Sequence, residues 1–569
     1  MKKVLLFVWI GISLPCFAQK NPKWVEKASK AVFTIEAYDK QGNIRKGNGF
    51  FVQPTGEAVS DYTLFVGAEK AVVTDADGRK MEVTRILGAD ELYDVIRFEV
   101  AAPKNVPFLV QAKRMPQVGD EAYLLPYGTT KNSMIAKGVI RELTKVKEQD
   151  GYYRADMPLA ASQISVPLLT PEGEVFAIAQ ADASGKNETY GISVPYIQRI
   201  GISAMDIFST TYSSIGIRKA WPEAPEDAQV ALLLYASNQE ATAYLETLND
   251  FIRTFPEYPD GYLSRASHYV YQRKALAVTD AEQLQLLNLA QADLDAAMKY
   301  DSDMSNAYYN QAKMIYHAIV GDSTIRSGYW KIETAKDKLQ QAMAKSDLPI
   351  YHQLAGDIAF YQGDLERAYQ SYALVNQSPA ASGESYYLAA KVRQQLPGAN
   401  PLEIIALLDS AVRKSTSPAD AIVYLNDNIE FKTQYGQYEA VVKDYDLYYY
   451  LLGGNVTDAF YYYREQARFR SGDLEGALKD INSAIVIDST NAVYHAEEGA
   501  VYLRMQELQK AQQSLEKSIS LDPDFASGYR LLGLCLLRQE KKNDACQAFV
   551  KARELGDPVV EKLISENCQ

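Results

Sequence analysis

The chain has 569 residues, 47% of them hydrophobic and 23% charged, with 59 basic against 72 acidic side chains. That is the mix of a globular protein of several domains, and it excludes disordered and fibrous chains. A formal charge of −13 speaks against a nucleic-acid partner, because no overall basic surplus is available to a phosphate backbone. Tyr, at 40 residues, is over-used. Its ring buries apolar area while its hydroxyl stays wet, which suits packing and contact surfaces.

In chain order, 1–18 reads as a secretory leader. Lys2 and Lys3 precede an apolar run from Val4 to Leu14, and Cys16 and Ala18 suit a cut before Gln19. The run falls well short of the roughly 20 residues that span a bilayer. The mature protein is expected to be exported and without a membrane span, in the periplasm of a Gram-negative cell or secreted or envelope-associated otherwise. Lipid attachment at Cys16 is the alternative. The cut leaves Cys535, Cys546 and Cys568, all near the end. Cys546 with Cys568 is the expected disulfide and Cys535 a packed small hydrophobe; three reduced core cysteines are the alternative, and connectivity stays open.

Over 25–215 the pattern is short and strand-like. Ala31-Val32-Phe33-Thr34-Ile35-Glu36-Ala37, Gly49-Phe50-Phe51-Val52 and Ala71-Val72-Val73-Thr74 are rich in β-branched and aromatic residues, and turn signals such as Gln41-Gly42-Asn43, Asp77-Gly78 and Pro171-Glu172-Gly173 separate them. This predicts an antiparallel barrel or sandwich. Five stretches carry a closer likeness: Gly47-Asn48-Gly49-Phe50-Phe51-Val52, the strand from Glu57 to Phe65, Tyr93-Asp94-Val95-Ile96-Arg97-Phe98, Pro167-Leu168-Leu169 with the run Glu172 to Ile178, and Tyr190-Gly191-Ile192-Ser193-Val194-Pro195. In order and spacing this segment resembles the trypsin-like serine proteases of the HtrA type. The resemblance implies a double β-barrel, with the catalytic slots at Thr63 (histidine), Asp94 (aspartate) and Ile164 (serine).

The residues in those slots do not supply the chemistry. A serine hydroxyl needs a base within hydrogen-bond reach, and Thr63 cannot take a proton near pH 7. The first His in the chain is His268, beyond this segment. The glycines that the family places around its nucleophile are replaced by Ser162, Ser165 and Val166, and β-branched Val166 is expected to fit that backbone poorly. The triad is thus read as degenerate. If the domain is active nonetheless, Ser165 or Ser162 is the alternative nucleophile, and Lys70 or Lys137 could offer a Ser-Lys arrangement.

After a linker at 216–224, helical periodicity takes over from 225 to 569, and this part holds most of the negative charge. Ala477, Ala511 and Ala545 lie 34 apart, as do Ala492 and Ala526. The unit from Ala492 has a small residue at its eighth and twentieth places, larger ones at its eleventh and twenty-fourth, and a helix-breaking Pro523. It resembles the tetratricopeptide repeat, with three units in strict register at 458–491, 492–525 and 526–559. Looser units are marked by Gly356, Ala368 and Tyr372, by Ala290, Leu294 and Ala297, and by Tyr424 and Ala440. About eight helix pairs are expected, stacked as a solenoid whose concave face takes a peptide or protein partner.

Other chemistry is sparse. No Walker-type glycine loop, HExxH pair or Cys-x-x-Cys occurs, no metal or cofactor site is read, and His268, His317, His352 and His495 are scattered. Tyr448-Tyr449-Tyr450 and Tyr461-Tyr462-Tyr463 are either inter-helix packing or an aromatic shelf. The expected architecture is a trypsin-like double β-barrel followed by an α-helical solenoid. The expected function is a non-catalytic, exported protein-binding scaffold; the alternative is an exported serine endopeptidase with rearranged catalytic residues, its repeats recruiting substrate. The oligomeric state is left open.

Overall fold

The computed structural model describes residues 21–568, apart from 131–132, 148, 182–187 and 326–327, so the leader at 1–18 lies outside the described residues. The chain divides into two compact units, Met1–Asp301 and Ser302–Gln569.

The first unit opens with two closed six-stranded antiparallel barrels. β1 (Val32–Asp39), β2 (Ile44–Phe51), β3 (Glu57–Ser60), β4 (Ala68–Thr74), β5 (Lys80–Asp90) and β6 (Val95–Val100) close in the order β1-β2-β3-β6-β5-β4. β7 (Glu121–Leu124), β8 (Ala136–Val146), β9 (Asp150–Ala155), β10 (Pro167–Leu169), β11 (Val175–Gln180) and β12 (Thr189–Ser193) close in the order β10-β11-β12-β9-β8-β7. Strand alternation sends Phe33, Ile35 and Ala37 of β1 into the first barrel, where Phe33 meets Phe51 edge-on at 4.7 Å. Leu168, Tyr153 and Phe176 fill the second. Val32, Phe50 and Val59 from the first barrel and Leu169, Val175 and Ile192 from the second share a further apolar cluster, closed by Val194 and Ile197 of the helix Val194–Arg199. That seam brings the ends of β3 and β10 together, and with them the residues of the candidate site.

The segment read as a linker is itself paired to the first barrel. The Gly216 N–H donates to Ala68 O at 2.8 Å, Ile86 N–H to Arg218 O at 2.7 Å and Ala220 N–H to Ile86 O at 2.7 Å. Trp221 then donates its indole N–H to Asp250 at 2.9 Å, a buried carboxylate also held by Arg85 and Arg218. Two helix pairs complete the described residues of this unit: Pro225–Ala236 with Ala241–Thr254, and Pro259–Tyr271 with Asp280–Tyr300.

The second unit is α-helical. Seven helix pairs run from Met304–Gly321 with Ile332–Met343 to Ala526–Arg538 with Lys542–Glu554, and the helix Val560–Asn567 follows. With the two pairs of the first unit, the described residues hold nine, one more than the spacing suggests. Small residues are required where the two helices of a pair touch: a Cβ on Gly356 would sit 2.5 Å from Tyr372, on Gly499 2.6 Å from Leu515, and on Gly533 2.5 Å from Phe549. Cys546 and Cys568 form a disulfide that ties the final helix to its predecessor, while Cys535 is free and buried. No helix among the described residues is long and apolar enough to cross a membrane.

Candidate functional site

A cleft of about 550 Å³ opens on the seam between the barrels, lined in part by Asp61, Tyr93, Asp94, Tyr152, Ile164, Ser165 and Gln180. β3 ends at Ser60, so Asp61 and Thr63 stand at its rim. Asp94 stands just before β6, and Ile164 and Ser165 in the short connection from the turn Ala161–Gln163 to β10.

The three predicted catalytic slots fall in this one region. Thr63 and Asp94 are bonded to each other: the Thr63 hydroxyl donates to Asp94 Oδ1 at 2.8 Å, and the Thr63 backbone N–H donates to the same oxygen at 2.7 Å. Thr63 therefore occupies the aspartate as a donor and offers no base. Ile164 contributes an aliphatic side chain. Lys70 and Lys137, the lysines considered for a Ser-Lys arrangement, are ion-paired with Glu82 at 3.4 Å and Glu121 at 2.7 Å.

Of the two serines considered as nucleophiles, Ser165 is the one that lines the cleft. Its hydroxyl donates to Asp61 Oδ1 at 2.6 Å, and the residue is only 1% exposed. Asp61 also accepts the Leu64 N–H at 3.1 Å on its other oxygen, while the nearby Ser60 hydroxyl donates to Asn48 O at 2.7 Å. Burial raises the pKa of the Asp61 carboxyl and the charge of Asp94 adds to the rise, while the Ser165 hydroxyl and the Leu64 N–H partly offset it. A carboxylate is a weak base toward an alcohol, so this pair holds the proton in place far better than it moves it. Ser162 is exposed at the surface of the same loop.

The loop backbone is held from the other barrel. The Asn48 carboxamide donates to Ser162 O at 3.0 Å and Ile164 O at 2.8 Å, so two carbonyl oxygens face the first barrel. The Gln163 N–H is bonded to Ala160 O and the Ser165 N–H to Ala179 O, each at 2.8 Å. The left-handed step expected to trouble Val166 falls instead on Ser165, at φ +67°, and Val166 is buried in the second barrel. Serine bears that conformation better than a β-branched residue does. Asn48 and Asp61 are the site residues that sequence reasoning passed over. The available signal was a polar residue between Gly47 and Gly49, and an Asp two places before Thr63.

No metal cluster occurs among the described residues. In the helical unit the tyrosine runs pack in part: Tyr448 stacks on Phe460 at 5.8 Å, the Arg464 guanidinium lies over Tyr449, Phe460 and Tyr461, and Tyr450 and Tyr463 remain exposed.

No protein-family model matches the chain. It is 28% identical over 160 residues to a probable periplasmic serine endoprotease, DegP-like, of Chlamydia muridarum, covering 27% of this chain and 31% of that one. It is 27% identical over 165 residues to the putative serine protease HhoA of Synechocystis, covering 27% and 41%. It is 33% identical over 92 residues to the small glutamine-rich tetratricopeptide repeat-containing protein 2 of Saccharomyces cerevisiae, covering 16% and 27%. The chain thus spans between 27% and 41% of the length of these relatives. A solved structure of the HtrA-type protease AlgW with a tripeptide superposes with a TM-score of 0.27 at 16% identity, covering 33% of this chain and 64% of that one. Homology to HtrA-type trypsin-like proteases accompanies the double barrel, and homology to tetratricopeptide-repeat proteins accompanies the α-helical C-terminal region.

Proposed function

We propose that this is an exported, non-catalytic protein-binding scaffold, in which a trypsin-like domain (25–215) is joined through 216–224 to tetratricopeptide-like repeats (225–569) that hold a polypeptide partner in the cell envelope. The observation that carries the reading is the state of the Ser165 hydroxyl: it is buried and committed to Asp61, with Thr63 in the place of a base. A nucleophile must reach the scissile carbonyl and lose its proton as it does so, and this hydroxyl is placed for neither. Export is supported by the leader-like sequence at 1–18 and by a relative named as periplasmic. Partner binding is supported by the stacked helix pairs and their tetratricopeptide homology.

A second reading keeps a specific observation. Ser165 and Asp61 form a hydroxyl–carboxylate pair on a cleft, and a carboxyl of raised pKa is a stronger base than an ordinary one. An endopeptidase built on that pair, with the repeats recruiting substrate, would bind a fluorophosphonate at Ser165 or Ser162. The deciding experiment is fluorophosphonate labelling of the purified mature protein, read by intact mass, beside casein digestion. We expect no adduct and no cleavage. An adduct mapped to either serine, together with cleavage lost in S165A/S162A, would establish the peptidase instead.

A further inference from the structure

The disulfide of the helical unit joins its last two helices. Cys546 lies in the helix Lys542–Glu554, and Cys568 stands just past the helix Val560–Asn567. That last helix has eight residues, fewer than an isolated helix needs to persist in water. Val560 is buried in a cluster with Phe549 and Ala552, while Leu563 and Ile564 pack on that cluster only in part. One ion pair, Arg553 with Glu561 at 3.9 Å, adds little at an exposed site. Much of what fixes the helix is therefore the cross-link.

The two sulfurs are not sealed in a core. Both cysteines are half-buried, and they line an open space of about 700 Å³ together with Lys542, Val550, Lys551 and Ile564. A space of that size admits a small molecule. Lys542 is exposed and in no ion pair among the described residues, and Lys551 meets Glu554 only at 3.8 Å. Lys542 also precedes Cys546 by four residues, which puts the two on one face of their helix. Cys535 is the opposite case in the same repeats. It is 0% exposed, burial raises its thiol pKa, and its Sγ donates to Leu508 O at 3.3 Å.

We propose that the Cys546–Cys568 disulfide is a thiol-exchange site for a small thiol that carries carboxylates, and that exchange there unlatches the last helix. Exposed disulfides are the labile ones, and they open when a thiolate attacks one of the sulfurs. Carboxylates on the incoming molecule suit the ammonium groups of Lys542 and Lys551. Its thiolate attacks Cys568 Sγ. A new S–S bond forms there as the old one breaks, and the electron pair leaves on Cys546 Sγ as a thiolate. Lys542 stabilises that charge, and a better-stabilised thiolate leaves faster. A second molecule of the thiol then attacks the mixed disulfide and frees Cys568, so the two small molecules depart joined as their own disulfide. Two electrons pass from two thiols to the cross-link, and the two thiol protons end on the two cysteines. No further reductant is needed.

This inference goes beyond the scaffold and peptidase readings and rests on neither. The test is incubation of the full mature protein, without denaturant, in a few millimolar reduced glutathione or cysteamine, followed by alkylation and peptide mass mapping. We expect a glutathione adduct on Cys568, then alkylation of Cys546 and Cys568 but not of Cys535. K542Q/K551Q should slow the reaction with glutathione about threefold or more and should not slow that with cysteamine, which carries an ammonium group instead of carboxylates. Hydrogen exchange over 560–567 is expected to quicken about tenfold or more once the cross-link opens, while 526–538 keeps its protection. C546S/C568S should show the same fast exchange with no thiol added. Should that variant fail to fold, the opened wild type still decides the matter. A cross-link that opens only in urea, alkylation of Cys535 ahead of the pair, equal glutathione rates in wild type and K542Q/K551Q, or unchanged exchange over 560–567 after opening would each overturn the inference.

Discussion

Asp61 and Glu465 are carboxyls withdrawn from water, one in each unit of the molecule, and they are treated in opposite ways. Asp61 receives the Ser165 hydroxyl and the Leu64 N–H. Glu465 is 0% exposed, and among the described residues neither of its oxygens has a hydrogen-bond partner. Donors stabilise the charged form and burial opposes it. Burial therefore raises both, but at Asp61 the Ser165 hydroxyl and the Leu64 N–H offset part of the rise, whereas Glu465 is pushed up to about 8 by burial, with Glu497 and Asp480 adding to the rise and Arg470 opposing it. The position matters: 34 and 68 residues on, the same place holds Gly499 and Gly533, each pressed against the facing helix. A carboxyl in a glycine's place survives by keeping its proton.

The sharpest way to break this comparison is pH. The Glu465 carboxyl is raised from the ordinary glutamate value of about 4.5 to about 8 in the fold, so the native state binds the proton more tightly than the unfolded chain does. The contribution of this one group to stability is then fully present below about 4.5, falls as the pH rises toward 8, and levels off above that, a change on the order of 5 kcal/mol. In E465Q the neutral amide cannot ionise. We expect the urea midpoint of the helical signal to fall between pH 4.5 and 8.5 in the wild type and to fall much less in E465Q, which should be the more stable protein at pH 8.5. Parallel pH profiles for the two proteins would show that Glu465 has found donors.

Ser165 tests the other side of the comparison. S165A removes a donor from Asp61 and leaves it under-satisfied, at a cost of about 1–3 kcal/mol. S165G loses the same hydrogen bond but relieves a left-handed backbone at φ +67°, worth roughly 1 kcal/mol. We therefore expect S165A to be the less stable of the two in urea unfolding followed by tryptophan fluorescence. Equal midpoints would mean that the loop relaxes away from the left-handed step once the hydroxyl is gone.

Much of this architecture is legible in the sequence, because it is written in short-range periodicity. Alternation at Phe33, Ile35 and Ala37 marks a strand, and the 34-residue spacing of Ala477, Ala511 and Ala545 marks the helix pairs. The absence of histidine before His268 is equally plain. What periodicity cannot carry is pairing across distance. Ser165 and Asp61 are 104 residues apart in sequence, and nothing local says that this serine will donate to that aspartate. The 216–220 segment shows no strand alternation, yet its backbone completes hydrogen bonds offered by Ala68 and Ile86. Arg470, Arg504 and Arg538 repeat visibly at 34-residue spacing, but that none of them is ion-paired among the described residues depends on side chains brought in by other helices.

The smallest expected effect concerns the tie between the barrels at the cleft. Asn48 is nearly buried and spends its carboxamide on the carbonyls of Ser162 and Ile164, 114 and 116 residues away. N48A removes both donors from a loop that keeps its bonds from Gln163 to Ala160 and from Ser165 to Ala179. The global cost should be about 1 kcal/mol, since those carbonyls lie in a loop at the rim of an open cleft where water can replace part of what is lost. The local response should be clearer. Hydrogen exchange over 160–166 is expected to quicken while the core strands β1 and β11 keep their protection. N48D goes further, because it sets a carboxylate against two carbonyl oxygens and turns two attractions into repulsions. If exchange in that loop is the same in wild type, N48A and N48D, then the turn and β10 hold the loop unaided, and the cleft owes its shape there to the second barrel alone.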